Sequence, residues 1–334
     1  MSQPQVSIII VYWNSAKYIP RCLESLSLQT FQDFEIILVD NGSSDNGVAG
    51  LEKAQPKFNL KVEHLTSNLG FAAANNLGAR LACGKWLALL NADAFPEPDW
   101  LEKLLYAAKE NPEYLFFSSR QIQANKPEFL DGTGDVYHIS GLAWRRHYSL
   151  SSNQFGLQAE EIFSACGAAA LYSREEFLHV GGFDEDYFSY FEDVDLGFRL
   201  RLYGARCLYV SEAIVHHVGS ASTGKLSDFV VYHGHRNLVW TYLKNMPTAL
   251  MLLCFPLFLA MNSYFLISFS LKGRGSVIWR SKRDAWRGLS NVMRKRKEIQ
   301  HNRQVPLASL WRVMERSLLT PIYVSIRRRR ILGS

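Results

Sequence analysis

The feature that most constrains the fold is a rhythm in the first 120 residues, where short, nearly unbroken apolar runs alternate with segments of helical periodicity. Residues 6–13, 34–41, 61–66 and 85–91 read as strands, and their lack of polar alternation marks strands covered on both faces of a parallel sheet. Between the first two, Ile19, Cys22, Leu23 and Leu26 recur at helical spacing behind Asn14 and Ser15, which suit a helix cap. Repeated βα units predict an α/β fold, a Rossmann-like, mostly parallel sheet flanked by helices. Such sheets hold ligands beyond the carboxyl ends of their strands, where this chain concentrates its polar residues.

Residues 121–160 are polar with little apolar periodicity and read as an insertion or an acceptor-side loop. A strand-like run at 165–172 leads through Gly181 and Gly182 into an acidic, aromatic stretch, and then into a helix at about 191–203 with Leu196, Leu200 and Tyr203 on one face. Residues 205–217 return to a strand pattern.

The net charge of +6 conceals an asymmetry, because residues 272–334 carry 17 Lys/Arg against 3 Asp/Glu while residues 1–271 carry 20 against 28. An acidic body with a basic tail points to a phosphate-rich surface. The tail carries no recognised nucleic-acid-binding motif, which leaves anionic lipid and excludes nucleic acid as the expected partner. Residues 247–271 contain no charge and, at about 1.5 Å per residue, are long enough for a hydrocarbon core of roughly 30 Å. A crossing from a cytoplasmic catalytic domain would send the basic tail outward, against the positive-inside bias. Pro256 and Asn262 also interrupt the run, so a re-entrant or in-plane segment is expected, with Trp279, Trp286 and Trp311 in the headgroup zone. The expected division is a catalytic domain at 1–245 and a helical membrane-associating region at 246–334, peripheral or monotopic on the cytoplasmic face of the plasma membrane. Five scattered cysteines without paired spacing imply a reducing compartment, and the opening MSQPQ lacks the pattern of an export signal.

Candidate chemistry sits at the strand exits. The second strand ends in VDNGSSDN, where Asp40 can accept the imide N–H of a pyrimidine and the turn exposes backbone groups near a ribose. Trp13 closes the first strand and offers a ring for stacking. The fourth strand exits in LLNADAFPEP, and Asn91 and Asp93, two residues apart, present oxygens on one side for Mg2+ or Mn2+ shared with a diphosphate. In GGFDEDYFSYFEDVDLGFRLRLYG, Glu192 and Asp193 fall at a helix N-terminus, where the helix dipole favours their charge. Beside Tyr187, Phe188, Tyr190 and Phe191 the same pair describes a general base in a sugar-stacking pocket. Adjacent strand residues face opposite ways, so only one of His216 and His217 faces the site, with His217 preferred.

In order, VSIIIVYWNS, FEIILVDNGSSD, NLGFAAANNLG, LLNADA, ACGAAALYSRE, the acidic aromatic segment and HHVGSAST resemble the family 2 inverting glycosyltransferases of the GT-A fold. More narrowly, they are similar to the rhamnosyltransferase branch that builds bacterial cell-surface polysaccharides, over about residues 5–245. The resemblance implies that Asp40 reads the pyrimidine, that Trp13 replaces the usual stacking Tyr, and that Asp45, Asn68 and Asn91 line the nucleotide-sugar site. It makes Asp93 the metal-binding member of a DxD-like motif whose first Asp is here Asn91, Asp193 with Glu192 the base, and His217 or His216 a later metal ligand. The implied donor is dTDP-L-rhamnose, with a UDP-hexose or a galactofuranose donor as alternatives. The implied acceptor is a polyprenyl-diphosphate-linked saccharide, whose diphosphate Arg236 would contact. A non-catalytic membrane-surface protein that binds nucleotide sugars is the competing class, opposed by the Glu192–Asp193 pair. A nucleotidyltransferase would need a Gly-rich Lys/Arg loop at the first strand, which the sequence lacks.

Overall fold

A computed structural model describes residues 3–51, 59–219 and 227–332. The apolar runs become parallel strands β1 (Val6–Tyr12), β2 (Phe34–Asp40), β3 (Asn59–His64) and β4 (Trp86–Leu90), with β3 at the half-exposed edge. Successive side chains on these strands point to opposite faces. Ile8, Ile10, Ile36 and Leu38 therefore pack under helix α1 (Ile19–Ser27), and Ile9, Ile37, Val39 and Leu89 under α2 (Gly70–Leu81). The expected cap on α1 is absent. Pro20 sits in its first turn, and Asn14, at φ 48°, turns its side chain to the neighbouring loop instead.

The chain continues through β5 (Ala94–Pro96), α3 (Trp100–Glu110) and β6 (Tyr114–Gln123). The segment expected as a loop contains β7 (Leu130–Gly132), β8 (Asp135–Tyr137), β9 (Ala143–Arg145) and the start of β10 (Glu160–Ile162). Then follow β11 (Ala169–Ser173), α4 (Arg174–His179), α5 (Glu192–Leu202) and β12 (Arg206–His217). The sheet order is β10-β12-β6-β11-β4-β1-β2-β3. Within it, β11 runs antiparallel to both neighbours, β4 and β6, and β12 runs parallel to β6. The carboxyl ends of β1, β2, β4 and β12 thus share one edge with the entry to β11, and the polar motifs meet there.

Six helices complete the described chain: α6 (Asp228–Asn245), α7 (Thr248–Phe269), α8 (Gly275–Arg287), α9 (Leu289–His301), α10 (Leu307–Val313) and α11 (Thr320–Leu332). Contrary to expectation, Pro256 and Asn262 do not break α7. Asn262 donates to the Phe258 carbonyl, and the break falls at Lys272 and Gly273, where Gly273 adopts φ 75°. Helix α7 touches the protein along its length. Leu250, Cys254 and Phe258 form a buried stripe at four-residue spacing, the Phe258 ring stacks 4.0 Å from Tyr242, and Phe265 and Phe269 meet His235. Its other face exposes Leu252, Leu253, Leu259 and Ile267 by 53–67%.

Residue 245 is not a break in packing. One cluster of buried side chains joins Tyr137, Val194 and Phe198 to Leu250, Phe258 and Met314. Beside it, Lys244 is 1% exposed between Asp184 and Asp195, Arg199 holds the other side of Asp195 at 2.9 Å, and Lys295 of α9 pairs with Asp184 and Asp186. The acids of the GGFDEDY loop are therefore fastened to α6 and α9. Lys244→Met leaves two buried carboxylates short of a partner and is expected to cost about 3 kcal/mol. Thermal unfolding should show a fall in Tm several times larger than that of Lys295→Met, whose side chain is 25% exposed.

Candidate active site

The loops after β1 and β2 are locked to each other. Asn14 accepts the Ser44 N–H at 2.8 Å and donates its own N–H to Ser43 Oγ at 3.1 Å, in a left-handed conformation that Asn tolerates. The buried Tyr12 hydroxyl donates to Asp45, whose second oxygen accepts the Ala16 N–H at 2.9 Å. Burial works against the charge on Asp45, but these donors outweigh it and hold its pKa below the ordinary value. Asp40 accepts the Ser43 N–H at 3.0 Å and meets His64 Nδ1 at 3.0 Å. Asn68 accepts from Asn41 at 3.0 Å and from the Gly70 N–H at 2.8 Å. The structure thus gathers Asp40, Asp45 and Asn68 on neighbouring loops beside a half-buried Trp13, with Asp45 and Asn68 serving as braces.

At the exit of β4, Asn91 donates its N–H to the Ala168 carbonyl ahead of β11, which fixes the loop against the antiparallel strand. Asp93 is 8% exposed and accepts the Gly219 N–H at 3.2 Å. His217 Nε2 lies 3.3 Å from Asp93 Oδ1 and 3.4 Å from the Asn91 amide, while its Nδ1 lies 2.7 Å from Asp131 Oδ2. Arg145 in turn pairs with Asp131. Burial would lower the His217 pKa, but the two carboxylates push it up to about 9; burial would raise Asp93, and His217 holds it down. His216 is a correction. Strand alternation turns it to the other face, where it meets Glu97 at 2.8 Å, away from Asp93.

A carboxylate, an imidazole and a side-chain amide converging from two strand exits fit a divalent cation whose remaining ligands are diphosphate oxygens. With Asp131 on Nδ1, the His217 Nε2 is the nitrogen directed at that point. Asp135, Cys166 and Asp193 also bring ligand atoms within 4.8 Å of one another. Burial pushes the Cys166 thiol up to about 12.

The third part is the N-terminus of α5. The chain reaches it through Phe188, Tyr190 and Phe191 at φ 64°, 68° and 69°. Bulky side chains in this region cost roughly 1–3 kcal/mol each, so the loop needs support. Asn237, fully buried on α6, supplies it by donating to the carbonyls of Tyr187, Ser189 and Tyr190 at 2.7–3.0 Å. Gly70 admits the loop from below, since at φ 88° a Cβ there would lie 2.6 Å from the Phe188 carbonyl oxygen. Arg236 supports the same loop. Its guanidinium lies 4.2 Å from the Trp240 ring and donates to the Asp186 and Tyr187 carbonyls.

The loop delivers Glu192 and Asp193 into different surroundings. Asp193 is half-buried and accepts the Gly167 N–H at 3.1 Å and the Val194 N–H at 2.8 Å. Burial raises its pKa, and the two N–H groups limit the rise. Glu192 is 7% exposed, and one carboxylate oxygen has no hydrogen-bond partner among the described residues. Burial first and the Asp193 charge second raise its pKa well above the ordinary 4.5. The pair is thereby split, with Asp193 the member that ionises first. Asp131, Asp135, Arg145 and the Gly167 N–H escape the sequence reading, although acids flanking two glycines in DGTGD were a visible signal. Ser220–Thr223 of the HHVGSAST motif lie outside the described residues.

Residues 7–181 match the model of glycosyl transferase family 2. The chain belongs to that family. It is 30% identical over 245 residues, 65% of this chain and 77% of the relative, to the N-acetylglucosaminyl-diphospho-decaprenol L-rhamnosyltransferase of Mycobacterium tuberculosis. It is 31% identical over 234 residues to the O-antigen biosynthesis protein RfbC of Myxococcus xanthus, covering 66% of this chain but 18% of that much longer one. Among solved structures, GalNAc-T7 with UDP, GalNAc and Mn2+ superposes with a TM-score of 0.60 at 17% identity, over 73% of this chain and 48% of that one. S. aureus TarS 1-349 with UDP-GlcNAc gives 0.56 at 21% identity, over 80% and 76%. These neighbours are GT-A-type enzymes, and the fold class read from the sequence holds.

Two measurements test the site as built. Asp131→Asn should weaken Mn2+ binding in the presence of UDP by about 10–100-fold in calorimetry, because His217 loses its orienting partner. His216→Ala should change it by less than about threefold, since a partly exposed ion pair contributes little. Glu192 stabilises the fold only while protonated, so its contribution is complete below pH 4.5 and is lost as the pH rises towards its higher folded value. Glu192→Gln should therefore melt above the parent at pH 8 and close to it at pH 4.

Proposed function

We propose that this family 2 glycosyltransferase moves L-rhamnose from dTDP-rhamnose, with inversion, to a hydroxyl of a polyprenyl-diphosphate-linked saccharide in cell-surface polysaccharide synthesis. The observation that carries the reading is Asp193, an ionisable carboxylate steadied by the Gly167 N–H on the sheet edge that also bears Asp93 and His217. The name of the mycobacterial relative supports both the sugar and the lipid-linked acceptor.

In this reading Asp40 accepts the imide N–H of the pyrimidine and Trp13 stacks on the base. Asp93 and His217, with Asn91 beside them, would hold Mg2+ or Mn2+, which would supply positive charge to neutralise the leaving diphosphate. Asp193 takes the acceptor hydroxyl proton as that oxygen attacks the anomeric carbon on the face opposite the diphosphate. Burial and the Asp193 charge hold the Glu192 pKa well above the ordinary value, which favours its neutral form beside Asp193. The exposed apolar face of α7 and the basic helices after it support a monotopic placement on the cytoplasmic side of the plasma membrane, within reach of the lipid-linked acceptor.

Nucleoside diphosphate release from dTDP-rhamnose, UDP-galactose, UDP-glucose and UDP-N-acetylglucosamine, each with and without Mg2+ and a membrane lipid extract, tests the proposal. Metal- and lipid-dependent turnover of dTDP-rhamnose is expected, and preference for a UDP-hexose would overturn the donor. Asp193→Asn should lower kcat by about 10²–10⁴-fold while leaving donor affinity within about threefold. Unchanged turnover would remove Asp193 from the role of base.

A further inference from the structure

Helix α6 faces two ways. Through Asn237 it holds the loop that delivers Asp193, and through Tyr232 and His235 it lies against α8, where the Tyr232 hydroxyl donates to Asp284 at 3.0 Å. On α8, Ser276, Trp279, Arg280, Lys282 and Arg283 line an open cavity of about 660 Å³. Three of these five residues are cations and none is acidic. Arg280 lies 4.7 Å from the centre of the Tyr232 ring, and Arg283 pairs with Asp284 at 3.1 Å.

Lys282 is the unusual member. Its ammonium donates to the His235 carbonyl at 3.0 Å and to Asn262 Oδ1 on α7 at 2.6 Å, and among the described residues no carboxylate is within ion-pair distance. Desolvation pulls its pKa down to about 7. A withdrawn cation with no counter-charge opposes folding, and a bound anion relieves that cost. Exposed apolar surface flanks the cavity. Trp279 is 59% exposed at its rim, and α7, which Lys282 touches, exposes Leu252, Leu253, Leu259 and Ile267.

We propose that the α8 cavity binds the diphosphate of a membrane-borne isoprenoid whose hydrocarbon chain lies along the outer face of α7. Naming that lipid as the acceptor rests on the function proposed above. The cationic wall recognises the head through charge-assisted hydrogen bonds, and Trp279 and the α7 leucines recognise the chain. This assigns the acceptor head to α8 and frees Arg236 for its place under the catalytic loop.

The test uses the full chain with phosphatidylcholine vesicles carrying farnesyl diphosphate, farnesol or phosphatidylglycerol, and inorganic pyrophosphate in solution. Neither donor nor metal is added, so failure of sugar transfer and failure of lipid binding are read separately. Vesicles with farnesyl diphosphate should bind, those with farnesol should not, and Arg280→Gln and Arg283→Gln should each weaken binding about tenfold. Lys282→Gln should weaken it further, with circular dichroism reporting whether the fold persists; the Arg283 side chain is 57% exposed, so its replacement spares the fold. Binding unchanged in the arginine variants would overturn the site. Equal binding to phosphatidylglycerol would overturn the isoprenoid assignment in favour of bulk acidic lipid. Pyrophosphate binding as tightly as farnesyl diphosphate would overturn the role of α7.

Discussion

Lys244 is the charge on which the rest of the structure depends. An ammonium this far from water is tolerated only because Asp184 and Asp195 flank it, and those acids are tolerated only because Lys244, Arg199 and Lys295 oppose them. The residues come from the acidic loop, α5, α6 and α9. A tie of this kind does what apolar packing alone does not: it fixes the register of the C-terminal helices against the loop that carries Glu192 and Asp193. The strained backbone at Phe188, Tyr190 and Phe191 persists inside that frame.

The second constraint is the direction of β11. Had it run parallel to β4, its leading residues would lie at the far edge of the sheet. Running antiparallel, it brings Cys166, Gly167 and Ala168 to the edge where β4 and β12 end, so that Ala168 accepts the Asn91 N–H while Gly167 donates to Asp193. One short strand thus ties the exit of β4 to the Asp193 carboxylate through its own backbone groups. Substituting the Ala168 side chain leaves its carbonyl available, whereas a Cβ at Gly167 would lie 3.3 Å from the Phe71 ring.

Legibility of the fold followed burial. Strands β1, β2 and β4 fall within a residue of the apolar runs at 6–13, 34–41 and 85–91, because a strand covered on both faces must be apolar throughout. The edge strand β3, half polar, was placed two residues late. Residues 121–160 were opaque for a different reason: strands of three residues carry no period, and Asp131 is buried by a histidine 86 positions away. Alternation distinguished His217 from His216 in advance. Nothing comparable in the sequence reveals that Arg236 caps the Asp186 and Tyr187 carbonyls. The residues of the Glu192–Asp193 pair were visible, but the division of their protons was not, since it comes from Gly167 and from unequal burial.

The support that Asn237 gives the catalytic loop has a consequence for how the protein matures. The loop is made before α6, and α6 is secured by Arg296 of α9, which donates to the Leu243 and Met246 carbonyls and is made later still. A chain emerging from the ribosome therefore carries the loops after β1, β2 and β4 before the Glu192–Asp193 loop gains its full support, which comes only after α7 and α8 have been synthesised. By then the exposed apolar face of α7 is already made, and a premature stop before α9 yields a chain whose Glu192–Asp193 loop lacks the frame that holds it.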